Sequence, residues 1–265
     1  MNVVILTPVD LALAASLVVL VALLSYFMRL HLERQIMIAA ARTTVQLLLV
    51  GLVLKALFSY VHLGWIVLVA CIMLLAAGRE VMGRQKRRFA GIWGFGLGAF
   101  SMFISSFSIT ILTLTVLIGP DPWYEPQYAV PLLGMLLGNT MNGIAIGLDR
   151  LTSSAWEQRT IIEGRLMMGA AWSQAIETLR RESIRGGLIP ILNSMAAAGL
   201  VSLPGMMTGQ ILGGNPPMEA VKYQILIMFL IAGGTGLGTV AAVWLGARRL
   251  FDERQRLRLD RLKSH

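Results

Sequence analysis

GMLLGNTMNG, residues 134–143, sets Asn139, Thr140 and Asn142 inside an otherwise apolar run. An amide carried into hydrocarbon without a partner costs roughly 2–7 kcal/mol, so these groups must meet another helix, water or a solute. In a helix, residues three and four apart share a face. Gly134, Gly138 and Asn142 then form one ridge, and Asn139, Gly143 and Gly147 the next. Small residues at this spacing let a neighbouring helix approach closely. The stretch reads as a packed membrane helix whose amides either bond across an interface or line a polar route.

The rest of the chain supports a membrane setting. Of its 265 residues 56% are hydrophobic and 14% charged, against about 25% charged in a soluble domain; mean hydropathy is +0.70. Seven apolar segments can be read as spans of about 20 residues: 8–28, 43–60, 63–78, 92–118, 129–148, 186–203 and 222–247. The first lacks a basic leader and carries its basic flank after it, so it reads as a span and not as a cleaved signal peptide. The expected fold class is all-α, a polytopic membrane protein with about seven transmembrane helices. Of the 23 Lys and Arg residues, 21 fall in the loops and tail on one side of this arrangement. Basic loops stay inside, which puts the N-terminus outside and the C-terminus inside the cell (inner) membrane. The net charge of +9 is then orientation and contact with anionic lipid, and nucleic acid is not needed to explain it.

Two loops carry further signals. In the inner segment 149–187, Ile162, Leu166, Gly169, Trp172, Ile176 and Leu179 recur at spacings of three and four, with Glu163, Gln174, Glu177, Arg180 and Arg181 between them. That is an amphipathic helix, or two with a break at Gly169, lying on the membrane surface or docking on a soluble partner. The outer segment 203–219 (LPGMMTGQILGGNPPME) mixes helix breakers with Met206, Met207 and Gln210. Irregular backbone at membrane depth is tolerated only where it is buried or lines a cavity, so this stretch is either a plain outer loop or part of a path.

Candidate path residues are Gln46, Asn139, Met141, Asn142, Asn193, Met206, Met207 and Gln210, with Ser105, Ser106 and Thr110 as further polar positions. The spans 129–148 and 186–203 contain no Asp or Glu, which argues against a charged proton relay at the bilayer centre. Thioethers suit soft ions and amide oxygens harder ones, and methionine also packs as a gap-filler. Enzyme readings find little support. There is no GxxxxGK[ST] phosphate loop, and Cys71, His31, His62 and His265 are scattered, so no Cys-rich or His-rich metal cage is available. GGTGLG (233–238) lies within the last span and reads as close helix packing.

ARTTVQLLLVG (41–51), PLLGMLLGNTMNG (131–143) and NSMAAAGLVSLPGMMTGQILGG (193–214) with YQILIMF (223–229) together resemble the FetB family, membrane permeases of ABC transporters implicated in iron export, whose plant relatives are linked to aluminium tolerance. The resemblance runs from about Arg29 to Leu250. It implies a metal-exporting permease subunit, a separate ABC ATPase subunit that holds ATP and Mg, a homodimer of the permease, and no cofactor bound by this chain. It divides the chain into one permease domain, 1–250, with 149–187 as its cytoplasmic coupling segment, and a basic cytoplasmic tail, 251–265. It also singles out Glu163, Gly169, Trp172 and Ile176 for ATPase coupling. Glu163 and Gly169 keep the six-residue spacing of the EAA-x3-G docking pattern, while Gly164 and Arg165 stand where that pattern has alanines. A reading of a different class is a non-transporting scaffold or regulatory subunit whose basic inner face holds a soluble partner.

Overall fold

A computed structural model describes residues 7–264; His265 lies outside them. The chain divides into two compact units, Met1–His62 with Leu212–Gly214, and Leu63–Ile211 with Asn215–His265.

The first unit is a helical hairpin, α1 (Pro8–Phe27) and α2 (Glu33–Ser59). Its start is specified locally. Pro8 presets the first helical φ, and Thr7 and Asp10 cap each other reciprocally, with the Thr7 amide donating to Asp10 Oδ2 at 2.8 Å. The turn into α2 is held by the Leu32 amide, which donates to Ser25 Oγ at 3.1 Å. Most of the remaining side chains of both helices are exposed, Leu47 and Leu48 by 67% each. A helix apolar all round with its surface uncovered is suited to lipid.

The second unit begins with α3 (Leu63–Gly83) and a short strand β1 (Arg87–Phe89). A continuous helical span over residues 92–118 follows, built from α4 (Ile92–Met102), α5 (Ser108–Leu112) and two π-helical turns at Phe103–Phe107 and Thr113–Ile118. Ser105, Thr110, Thr113 and Thr115 each donate a hydroxyl to the carbonyl four residues back, which satisfies polar side chains in an apolar setting and loosens the helical winding. Then come α6 (Pro126–Glu157), α7 (Arg159–Met167), α8 (Trp172–Ala175), α9 (Glu177–Ala197), α10 (Gly205–Leu212), α11 (Pro217–Arg249) and β2 (Leu262–Ser264).

Among the described residues six helices are long and apolar enough to cross a membrane: α1, α2, α3, the 92–118 span, α6 and α11. The expected span at 186–203 is different in kind. Its helix begins at Glu177 with about two and a half turns carrying Glu177, Arg180, Arg181, Glu182 and Arg185, and stops at Ala197. Only its second half is apolar. α9 nevertheless packs along both α6 and α11. The neighbours of Gly143, Gly234 and Gly246 show α6 and α11 parallel, whereas Gly186 packs on Arg150 and Gly187 on Gly143, so α9 returns antiparallel to α6.

Two cores hold this unit together. One joins Ala70 and Val81 of α3, Met102 of α4, Leu137, Ile144 and Leu148 of α6 and Ala242 of α11. The other lies at the basic end and collects Phe89, Leu151, Ile162, Ile176, Leu250 and Leu262. Residues 251–264, read from sequence as a tail, fold back here: β2 pairs antiparallel with β1, Phe89 opposite Leu262, and Phe251 is 3% exposed.

Candidate functional site

The three polar residues of α6 have three different fates. Thr140 is fully buried and accepts a long hydrogen bond, 3.4 Å, from Ser106 Oγ in the first π-helical turn. Asn142 turns the other way and accepts through Oδ1 from the Arg84 guanidinium, which also reaches Glu80 at 3.4 Å. Asn139 donates through Nδ2 to the Met135 carbonyl at 2.8 Å and lines a cavity. Thr140 and Asn142 are therefore interhelical ties, and Asn139 lines the cavity.

That cavity, about 580 Å³, lies between α6, α9, α10 and α11. Asn139, Asn193 and Met206 line it, so it gathers three of the eight path residues expected from sequence, from three separate helices. Met135, Met228 and Gln224 complete its polar and thioether face. Gln224 is the residue that sequence reasoning missed. Its side chain is 8% exposed, and its Oε1 has no hydrogen-bond partner. A buried acceptor left open costs about 1–3 kcal/mol, a cost that a donor or a cation in the cavity would remove. The signal was present in YQILIMF, one amide in an apolar run. Among the described residues no group of three or more His, Cys, Asp or Glu is placed to hold a metal; the donors in this cavity are amide oxygens, hydroxyls and thioethers.

One turn along, the same helices close completely. A Cβ on Gly187 would lie 2.5 Å from the Gly143 carbonyl oxygen and 2.7 Å from Thr239 Cγ2; a Cβ on Gly143 would lie 2.6 Å from Thr239 Oγ1. The ridge seen in sequence through Gly143 and Gly147 is thus a real contact line, meeting α9 and α11 together.

The other path residues lie elsewhere. Gln46 is exposed on α2 in the first unit. Met141 is half-buried against the core around Met102 and Ile144. Met207 and Gln210 are half-buried on α10 and do not line the cavity.

At the basic end the inner segment is broken where expected. Gly169 has φ +89°, a left-handed conformation that a side chain would strain, and it separates α7 from α8. Ile176 is fully buried in the core at this end. Trp172 is held by its neighbours: its amide donates to Gln255 Oε1 at 3.0 Å, and its ring lies 5.8 Å from that of Phe251. Glu163 and Gly169 border an open cleft with Glu253 and Arg256. The side chains that project at the bend are Met167 and Met168, 83% and 82% exposed. Beside the bend, the Arg256 backbone amide, which donates to Asp252, holds that carboxyl below the usual carboxylate range.

Comparison with known proteins places this architecture. The model of the UPF0014 family, described as an uncharacterised protein family, matches residues 8–251. A UPF0014 membrane protein of Synechocystis is 41% identical over 232 residues, 86% of this chain and 87% of its own length. The probable iron export permease protein FetB of Escherichia coli is 35% identical over 260 residues, 96% of each chain. Protein ALUMINUM SENSITIVE 3 of Arabidopsis thaliana is 32% identical over 234 residues, 88% of this chain and 84% of its own. No solved structure matches.

Proposed function

We propose, from the premise that this chain belongs to the UPF0014 family of multi-pass membrane proteins, that it is the permease subunit of an ABC exporter that moves a metal ion, iron first among candidates, outward across the cell (inner) membrane. The relative named as a probable iron export permease covers nearly the whole chain, and the substrate is carried over from that name. Seven spans, with α9 as the seventh and the basic end inside, account for the parallel course of α6 and α11. ATP and Mg belong to a separate ATPase subunit, and two copies of the permease pair.

The observation that carries this reading is the open Gln224 carbonyl in a cavity shared with Asn139, Asn193, Met135, Met206 and Met228. The set is rich in electron-pair donors and free of carboxylates, which suits a cation that is bound weakly enough to leave. Nucleotide-driven closure of the ATPase would press on the bend at Met167–Met168. Because α9 follows within ten residues and is seated backbone to backbone on α6 at Gly187, displacement of the bend tilts α9 about that seat and alters the cavity above it.

The test is reconstitution of the permease with its ATPase in proteoliposomes, scored for ATP hydrolysis and metal movement against a panel including Fe(II), Fe(III), Cu(I) and Al(III). Iron-stimulated hydrolysis with outward transport is expected. Hydrolysis indifferent to every metal would reject the metal reading, and failure of any ATPase to associate would reject the transporter.

A further inference from the structure

We propose that the groove between α4 and the end of α11 binds one anionic phospholipid, its headgroup at the basic end and an acyl chain along the groove. The groove encloses about 650 Å³. Its apolar wall is Trp93, Gly96 and Phe100 of α4 facing Leu245 of α11. Trp93 and Phe100 are 50% and 54% exposed. A Cβ on Gly96 would find no atom within 4 Å, so the groove stays open at that turn.

At its other end the groove meets Arg248, Arg249 and Arg261. The Arg249 guanidinium lies 4.4 Å from the Trp93 ring centre, and that of Arg248 lies 5.4 Å from the Trp172 ring centre. Arg261 is fixed by donating to the carbonyls of Arg249 and Phe251 at 2.8 and 3.2 Å. No carboxylate pairs with any of the three among the described residues. The two acids at the rim are Asp252 and Glu253, and Asp252 is occupied by the Arg256 side chain at 2.8 Å and by the Arg254 and Arg256 amides.

The two ends of the groove ask for different chemistry in one molecule. Three guanidinium groups outnumber the two rim carboxylates and ion-pair with neither, so this end is net positive and calls for an anion, and their planar forks match phosphate oxygens. The aromatic wall calls for hydrocarbon. α4 and α11 run antiparallel here, with Gly246 beside Phe89 and Gly238 beside Ser105, so the groove follows the helix direction and leads from the arginines toward the middle of the unit. A free phosphate would leave the wall bare, and a zwitterionic lipid would bring its own cation to the arginines. Basic pockets between membrane helices recognise anionic lipids in this way.

Native mass spectrometry of the 265-residue chain in mixed micelles of dioleoyl phosphatidylglycerol and dioleoyl phosphatidylcholine reads the outcome. The wild type is expected to retain one phosphatidylglycerol in preference to phosphatidylcholine. Arg249→Gln should lower that preference about fivefold, the value of one basic group at about 1 kcal/mol. Gly96→Leu, whose side chain enters the open groove, should weaken retention of both lipids without lowering the melting temperature. Arg181→Gln, at the same end and outside the groove, should leave retention unchanged. Equal retention of the two lipids by the wild type, indifference to both groove substitutions, or displacement by glycerol 3-phosphate at matched concentration would each overturn the assignment.

Discussion

Where Gly143 meets Gly187, backbone and the short side chains of Thr235 and Thr239 bring α6, α9 and α11 together; one turn away, at Asn139 and Ile191, the same helices stand apart around about 580 Å³. The two levels differ in the residues that face inward. Glycines let main chains touch, and close packing of this kind is bistable instead of continuously deformable. Amides and methionines at the next level hold the helices apart and leave donors open. A closed seat directly beside an open cavity separates two jobs that can be tested apart: tight packing at the seat, and exposed polar groups in the cavity.

The largest effect should come from breaking the seat. Gly187→Val would drive a side chain into the Gly143 carbonyl and Thr239, both backed by fully buried residues. Overpacking of a tight contact costs roughly 1–3 kcal/mol, occasionally more, so thermal melting in detergent should fall steeply. Gly138→Ala on the same helix, with no atom within 4 Å of the new Cβ, should change it by less than about 0.5 kcal/mol. Equal melting of the two variants would erase the distinction between the levels.

Gln224→Leu tests the cavity in the opposite sense. Removing a buried acceptor that has no partner should leave melting unchanged or slightly raised, while transport by the reconstituted pair falls on the order of tenfold, the loss of one contact of about 1.4 kcal/mol to the cargo. A variant as active as the wild type would remove Gln224 from the path.

The two asparagines give a smaller and sharper comparison. Asn142→Ala severs the bond to Arg84 and should lower stability by about 1 kcal/mol, kept small because Arg84 is partly exposed, with transport little changed. Asn139→Ala should do the reverse. If both variants lose transport equally, the amides act together and the split between tie and path is wrong.

Much of this was legible in residue order, and the remainder was hidden for identifiable reasons. Apolar runs bounded by Arg or by Pro and Gly gave helices within a few residues of 8–28, 63–78 and 92–118, because length and hydropathy alone decide them. The second half of α9 read as a span on its hydropathy, while its charged first half gave no such signal and is held by contacts, Ser183 beside Gly147 of α6 and Leu179 in the core at the basic end. The break at Gly169 was visible because a left-handed glycine breaks the period. Two things were invisible. The fold-back of residues 251–264 depends on pairing with Arg87–Phe89, a contact no local pattern encodes. And a lone glutamine in an apolar run does not announce whether it is partnered, so Gln224 was passed over while Asn142, which is partnered, was chosen.

The smallest expected effect concerns the anchor of α11 beyond the seat. Asp252 accepts from the Arg256 amide at 2.8 Å and the Arg254 amide at 3.0 Å, and the Arg256 amide is the leading cause of its lowered pKa; the Arg258 side chain does the same for Asp260. Both carboxyls titrate lower when folded than when unfolded, so their contribution is complete above the unfolded value of about 3.9 and is lost as pH falls through the lowered folded value. Hydrogen exchange should therefore show the Arg256 amide losing protection, after correction for intrinsic rate, only below about pH 4. Asp252→Asn should be less protected at neutral pH and nearly flat with acid. The atoms nearest the contact of Gly143 with Gly187 are backbone and the side chains of Thr235 and Thr239, so amides of α6 and α9 at that level should keep their protection through the same range. Loss at both levels together would mean that the seat depends on the fold-back, and that α11 is held in place from its end and not from its middle.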